Sequence, residues 1–188
     1  MKINSLSVIS VVSVLACSTA ADASVLADFY VGGMVGAGGQ TLFTKDQHKN
    51  SASSLIGAVA GVDIPVVRLE AEYNYLTSSE LDTNAAMLNV YAKVPSTVIL
   101  PYIGAGFGMV FGGEHKFTKD GVDFKYDVDK STAYQAMLGA TVDIFSIPIK
   151  FDIEGRVLYA PDIYKVTATH TSPDLLQYNA RVKMRYIF

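Results

Sequence analysis

The chain has 188 residues, half of them apolar and only 18% charged, which suits one domain and is too hydrophobic for a disordered protein. With 15 Lys and Arg against 18 Asp and Glu, the net charge is −3, so there is no general electrostatic case for binding nucleic acid. A single cysteine, Cys17, excludes a disulfide framework and a cysteine-based zinc cluster.

In chain order, the first element reads as an address label. Met1 and Lys2 form a short positive start, residues 6–16 are apolar apart from small serines, and Ala21-Asp22-Ala23 supplies a small-x-small cleavage pattern. The expectation is a signal peptide over residues 1–23, cut after Ala23, with 24–188 as the exported domain. The apolar run is too short to span a bilayer as a helix. Val14-Leu15-Ala16-Cys17 loosely matches a lipoprotein box, so acylation at Cys17 stays open as the alternative.

Beyond it the hydropathic period is two. Val67, Leu69, Ala71, Tyr73 and Tyr75 alternate with Arg68, Glu70, Glu72 and Asn74. Ala86, Leu88, Val90, Ala92 and Val94 do the same against Met87, Asn89, Tyr91 and Lys93. The last segment is the clearest, with Tyr178, Ala180, Val182, Met184 and Tyr186 set against Asn179, Arg181, Lys183 and Arg185. Successive side chains of a strand point to opposite faces, so each run is a half-apolar strand. The runs predict eight strands, over 27–39, 54–63, 66–76, 85–94, 98–112, 132–144, 148–159 and 175–188. Pro101 with Gly104, Gly106 and Gly108 argues for a strand rather than a membrane helix over 98–112.

Tight links around Ile64-Pro65, Pro95-Ser96-Thr97 and Phe145-Ser146-Ile147 alternate with longer polar links at 40–53, 77–84, 113–131 and 160–174. That wiring belongs to an antiparallel up-and-down sheet inserted from one side of a membrane, and an even strand number lets it close. A soluble barrel would instead bury the aliphatics and expose the charges. Three features favour the membrane version. Gly57, Gly61, Gly104, Gly106, Gly108 and Gly139 crowd the polar face, as a cramped interior requires. Both signs of charge sit on that face in apposed positions. The sequence closes on Tyr186-Ile187-Phe188, with aromatics at the last and third-last positions. In addition, Tyr73, Tyr75, Phe111, Tyr159, Tyr178, Tyr186 and Phe188 lie toward strand ends, as girdle aromatics do.

With Pro101-Tyr102-Ile103-Gly104-Ala105-Gly106-Phe107-Gly108 and the closing Tyr186-Ile187-Phe188, the sequence resembles the small eight-stranded outer-membrane barrels of the OmpA transmembrane and opacity-protein type. The resemblance implies an eight-stranded antiparallel transmembrane β-barrel in the outer membrane of a Gram-negative bacterium. It also implies contact with outer-membrane lipid, and it makes Tyr186 and Phe188 an assembly signal for the barrel assembly machinery. Lys183 stands where that signal often carries glycine. The resemblance identifies architecture, not an activity.

An eight-stranded barrel has an interior just wide enough to be filled by side chains. Here it is expected to hold Arg68, Glu70, Glu72, Lys93, Asp143, Lys150, Asp152, Glu154, Arg156, Arg181, Lys183 and Arg185. Buried charges must pair, so the favoured reading is a salt-bridged plug, with a narrow gated channel as the alternative. Function then falls to the long loops. In the third, Asp120-Gly121 between alternating segments predicts a hairpin that continues the flanking strands past the membrane. Its Phe117, Phe124 and Tyr126 form either a contact surface for a host or other surface protein or a face packed on neighbouring loops.

Catalytic and cofactor chemistry finds little support. His170-Thr171-Ser172 superficially resembles the His-x-Ser arrangement of outer-membrane lipid A deacylases, but no Asp or Glu after Asp174 could orient the histidine. His48 and His115 have no second ligand at a fixed spacing, and Asp127-Val128-Asp129 alone does not make a calcium loop. The glycine runs at 36–39 and 104–108 lack the strand-to-helix setting of a phosphate cradle. No catalytic residue, metal or cofactor is expected.

Overall fold

The computed structural model describes residues 27–44, 47–78, 82–96, 98–112, 114–119, 122–127, 130–144, 147–161, 163 and 174–188. The segment 1–23, with Cys17, lies outside the described residues. Side chains are described for all of these residues except 42–44, 47–50, 114–119 and 122–127. The strands are β1 (Asp28–Thr44), β2 (Gln47–Asp63), β3 (Val67–Ser78), β4 (Thr83–Lys93), β5 (Ile99–Phe111), β6 (Glu114–Lys119), β7 (Val122–Asp127), β8 (Ser131–Asp143), β9 (Ile149–Ala160) and β10 (Asp174–Ile187).

Eight of them close into an antiparallel barrel in the order β1-β10-β9-β8-β5-β4-β3-β2, while β6 and β7 form a separate two-stranded sheet. Closure runs from Tyr30 paired with Ile187 to Phe43 paired with Asp174, so no barrel edge is left open. In hydrocarbon every open edge would carry unsatisfied backbone groups, which is why spanning sheets are closed. Short turns, such as the one at 64–66 held by the Ile64 N–H donating to the Val67 carbonyl at 2.8 Å, mark one end of the cylinder. The connections after β3, β5 and β9 mark the other.

Residue burial is inverted relative to a water-soluble barrel. Leu138 is 66% exposed and Ile153 62%, while Arg68 and Arg185 are 0% exposed. Along β3 the exposed positions are Val67, Leu69, Ala71, Tyr73 and Tyr75, and the intervening Arg68, Glu70, Glu72 and Asn74 are buried. Aromatics gather at two levels of the outer face. Tyr73, Tyr75, Phe107, Tyr134, Tyr159 and Tyr178 lie toward the loop end, and Phe29, Tyr186 and Phe188 lie at the turn end. Tyr and Phe thus supply both girdles of a chain without tryptophan.

Two features depart from the sequence expectation. The link expected over 40–53 is mostly strand: β1 and β2 are 17 residues each, and their ladder runs to Thr44 paired with Gln47. Gln40, Thr41, Ser51 and Ser53 carry no apolar alternation, yet the backbone ladder does not need one once it leaves the bilayer. The expected hairpin exists, with Lys119 paired with Val122 around Asp120-Gly121, but it does not continue β5 and β8. Gly112 breaks the path, with a φ of 55°, and its carbonyl accepts a 2.8 Å hydrogen bond from Asn84 Nδ2. Such a φ suits glycine and few other residues.

Inside, large side chains lie over glycines of the next strand. Tyr30 faces Gly61, Tyr91 faces Gly104 and Tyr102 faces Gly139, each as a register partner. A methyl group at Gly104 would fall on the Tyr91 ring, whereas one at Gly33 on the outer face meets nothing nearer than the Gly57 carbonyl oxygen at 3.9 Å. Gly104→Ala should therefore destabilise the barrel by about 1–3 kcal/mol through overpacking, and Gly33→Ala should stay within about 0.5 kcal/mol of the parent. Urea unfolding in lipid vesicles reads both.

Candidate functional site

Among the described residues the barrel interior gathers buried charge into three connected tiers. Nearest the turns, Asp152 on β9 receives Arg185 from β10 through Nε at 2.7 Å and Nη2 at 2.9 Å. Thr141 donates its hydroxyl to the same carboxylate, and Arg68 Nη1 approaches it at 3.2 Å. Arg185 Nη1 also reaches Asp63 at 3.1 Å, and Lys93 pairs with Asp63. The middle tier centres on Glu70 and Glu154. Glu70 accepts hydrogen bonds from Lys183 Nζ at 2.7 Å and from the Tyr30 and Tyr91 hydroxyls at 2.8 Å each. Glu154 binds Arg181, takes the Tyr102 hydroxyl at 3.0 Å and lies 3.4 Å from Lys183 Nζ.

Toward the loops, Glu72 is the hub. Arg181 donates to both of its oxygens, at 2.7 and 3.0 Å, and Asn74 and Asn89 donate at 2.7 and 2.8 Å. Several of these bonds cross the lumen, since β1 and β2 separate β3 from β10 around the wall. Arg68 adds a stacked layer, its guanidinium 4.0 Å from the Tyr91 ring centre and 4.6 Å from that of Tyr102. Charged side chains in a low-dielectric interior are tolerable only when so paired. The arrangement orients and pairs charge across the bore.

Above the charged tiers the interior turns apolar. Ala85, Met87, Val110, Ala133, Leu158, Ala160, Ile163 and Leu175 form one buried cluster at the loop end. Ile163 reaches it from the connection after β9, where Ser131 Oγ also donates to the Pro161 carbonyl.

Of the expected interior charges, Arg68, Glu70, Glu72, Lys93, Asp152, Glu154, Arg156, Arg181, Lys183 and Arg185 are all buried. Asp143 and Lys150 pair with one another at 3.3 Å but keep 27% and 20% of their side chains exposed. They flank the short turn between β8 and β9, where water reaches them, so they form a rim pair outside the sealed network. Sequence reasoning missed Asp63, the last inward residue of β2, because it adjoins the Ile64-Pro65 turn. It also missed Tyr30, Tyr91, Tyr102, Asn89 and Gln135, whose only signal is their parity with the charged positions.

The hairpin residues Phe117, Phe124 and Tyr126 occupy strands β6 and β7, with Phe117 paired to Phe124 and Tyr126 to His115. Asp120, Gly121, Asp129 and the His170-Thr171-Ser172 segment lie outside the described residues. At the chain's end, Tyr186 and Phe188 stand on the outer face with ring centres 5.3 Å apart, and the Phe188 N–H donates to the Phe29 carbonyl at 2.9 Å. Among the described residues no three His, Cys, Asp or Glu side chains come together as metal ligands.

Comparison with known proteins follows the same lines. Residues 8–188 match the family described as outer membrane protein beta-barrel domain. Among solved structures, Neisserial surface protein A is 17% identical, with 82% of this chain and 95% of that one covered at a TM-score of 0.55. Ail, the attachment invasion locus protein of Yersinia pestis, solved with the heparin analogue sucrose octasulfate, is 11% identical, with 85% and 99% covered at a TM-score of 0.53. At such identities the likeness carries the fold alone. No protein of curated function matches the sequence.

Removing a carboxylate from the network leaves buried positive charge uncompensated, which costs up to about 3–5 kcal/mol. Glu154→Ala leaves the Tyr102 hydroxyl without its acceptor and takes one of two carboxylates from Arg181 and from Lys183, which keep Glu72 and Glu70, so the barrel should lose its heat-resistant compact gel mobility at a lower temperature. Single-channel conductance of the refolded variant should remain at the parent level.

Proposed function

Because this chain belongs to the outer membrane protein beta-barrel family, we propose that it is a surface structural and interaction protein that works through its loop end. The observation that carries this reading is the filled interior. Charge-paired side chains occupy the bore from the turn end and an apolar cluster occupies its loop end, which leaves a barrel of this width no use as a diffusive pore. What remains free to meet partners is the loop end, where β6 and β7 form a sheet of their own outside the barrel ladder.

In this proposal residues 1–23 direct export and are removed after Ala23, the short turns face the periplasm, and Tyr186 with Phe188 addresses the barrel assembly machinery. The hairpin then stands outside the cell. Its odd-numbered β6 positions, His115 and Phe117, share a face by register with Tyr126 and Phe124 of β7, an aromatic strip suited to a host or neighbouring surface protein. Ail is by its own name a protein of attachment and invasion; an adhesive role is the corresponding proposal here. The interior network serves stability and register rather than conduction.

Protease treatment of intact cells followed by membrane fractionation tests location and orientation together. Cleavage should fall within residues 113–131, with the remainder of the chain spared and retained in the outer-membrane fraction. Cleavage confined to the short turns, or recovery of the mature chain in the aqueous periplasm, would contradict the proposal.

A further inference from the structure

The interior network is not evenly balanced. Among the described residues the buried charges are Arg68, Lys93, Arg156, Arg181, Lys183 and Arg185 against Asp63, Glu70, Glu72, Asp152 and Glu154, one cation in excess. The excess localises at Arg156. Its nearest carboxylate oxygen, on Glu72, is 3.5 Å away and already engaged by Arg181 at 2.7 Å. Its other partners are neutral amide oxygens, of Gln135 and of Gln177, each at 3.3 Å.

Next to it stands a second unsatisfied group. Arg156 is the register partner of Asn179, so their inward side chains are direct neighbours. Both are more than nine-tenths buried, at 2% and 6% exposure. Arg156 Nε, Asn179 Nδ2 and Asn179 Oδ1 all lack a hydrogen-bond partner. The same row continues through Gly38, which adds no side chain, to Ser53, whose buried hydroxyl is likewise unpartnered. Arg68 also has unpartnered nitrogens, but its guanidinium lies on the rings of Tyr91 and Tyr102 and pairs with Asp152. Arg156 has no such stacking and no carboxylate of its own.

We propose that the barrel interior binds one small monovalent anion, of the halide class, between Arg156 Nε and Asn179 Nδ2. Both groups donate to it, and its charge cancels the surplus cation. A water that donates one hydrogen to Asn179 Oδ1 and the other to the anion completes the amide's bonding. Water alone would satisfy the hydrogen bonds and leave the buried positive charge uncompensated, which is the costlier state. The site is an internal counter-ion for the wall of charge rather than a station on a transport path, because the apolar cluster around Leu158 and Leu175 lies above it.

The experiment is to refold and crystallise the full-length barrel in sodium bromide and to measure anomalous scattering. A bromide peak in contact with Arg156 Nε and Asn179 Nδ2 is expected. Arg156→Gln keeps amide hydrogen bonding but removes the charge, and should abolish the peak in a barrel that still shows compact gel mobility. Asn179→Ala provides a second variant, with the peak weakened or displaced. Bromide confined to the outer surface, a water at the site in the parent protein, or a peak that survives in Arg156→Gln would each overturn the proposal.

Discussion

Carboxylates and guanidinium groups cannot be sealed in a narrow cylinder unless each finds a partner, and every other feature of this molecule follows from that condition. The outer face must be apolar to meet acyl chains, so strand periodicity sends the charged residues and most polar ones of the spanning segments inward. There they meet in a space that side chains largely fill. Glu70, Glu72, Asp152 and Glu154 each gather several donors, and the bonds between β3 and β10 tie opposite walls together. A slip of one residue in any of these strands would turn its charges toward lipid, so pairing also fixes register.

Space is the second constraint, and glycine answers it. Tyr30, Tyr91 and Tyr102 lie across Gly61, Gly104 and Gly139 of adjacent strands, which lets their hydroxyls reach Glu70 and Glu154. The aromatic rings thus act as spacers that carry hydrogen-bond donors to the axis. Met34 uses its partner Gly57 in the same way without a polar tip. At these four positions glycine leaves the space that the large side chain on the neighbouring strand occupies.

What could be read in the sequence was whatever the bilayer dictates. β3, β4, β5, β8, β9 and β10 fall within two residues of the periodic runs, because lipid enforces strict alternation over the spanning length. The Asp120-Gly121 hairpin was legible from turn chemistry, as Lys119 paired with Val122 shows. The same logic explains the failures. Past Gly39 and before Ser54, β1 and β2 continue as a ladder whose sequence has no sustained apolar alternation, so periodicity is silent there. Val110, Leu158 and Leu175 look lipid-facing by composition but occupy inward positions, and only their parity with Tyr102, Arg156 and Gln177 of their own strands betrays the apolar cap. Asp63 was hidden by its place beside a turn.

The inversion of the two faces is open to a direct optical test, since the chain contains no tryptophan. A single tryptophan introduced on β4 reports one face at a time: Leu88→Trp on the exposed apolar side, Tyr91→Trp on the buried side. In vesicles of lipid brominated along the acyl chains, Leu88→Trp fluorescence should be strongly quenched and Tyr91→Trp fluorescence should persist. Quenching of Tyr91→Trp with protection of Leu88→Trp would place the aliphatic residues in the core and the charges outside, and would contradict the account at its foundation.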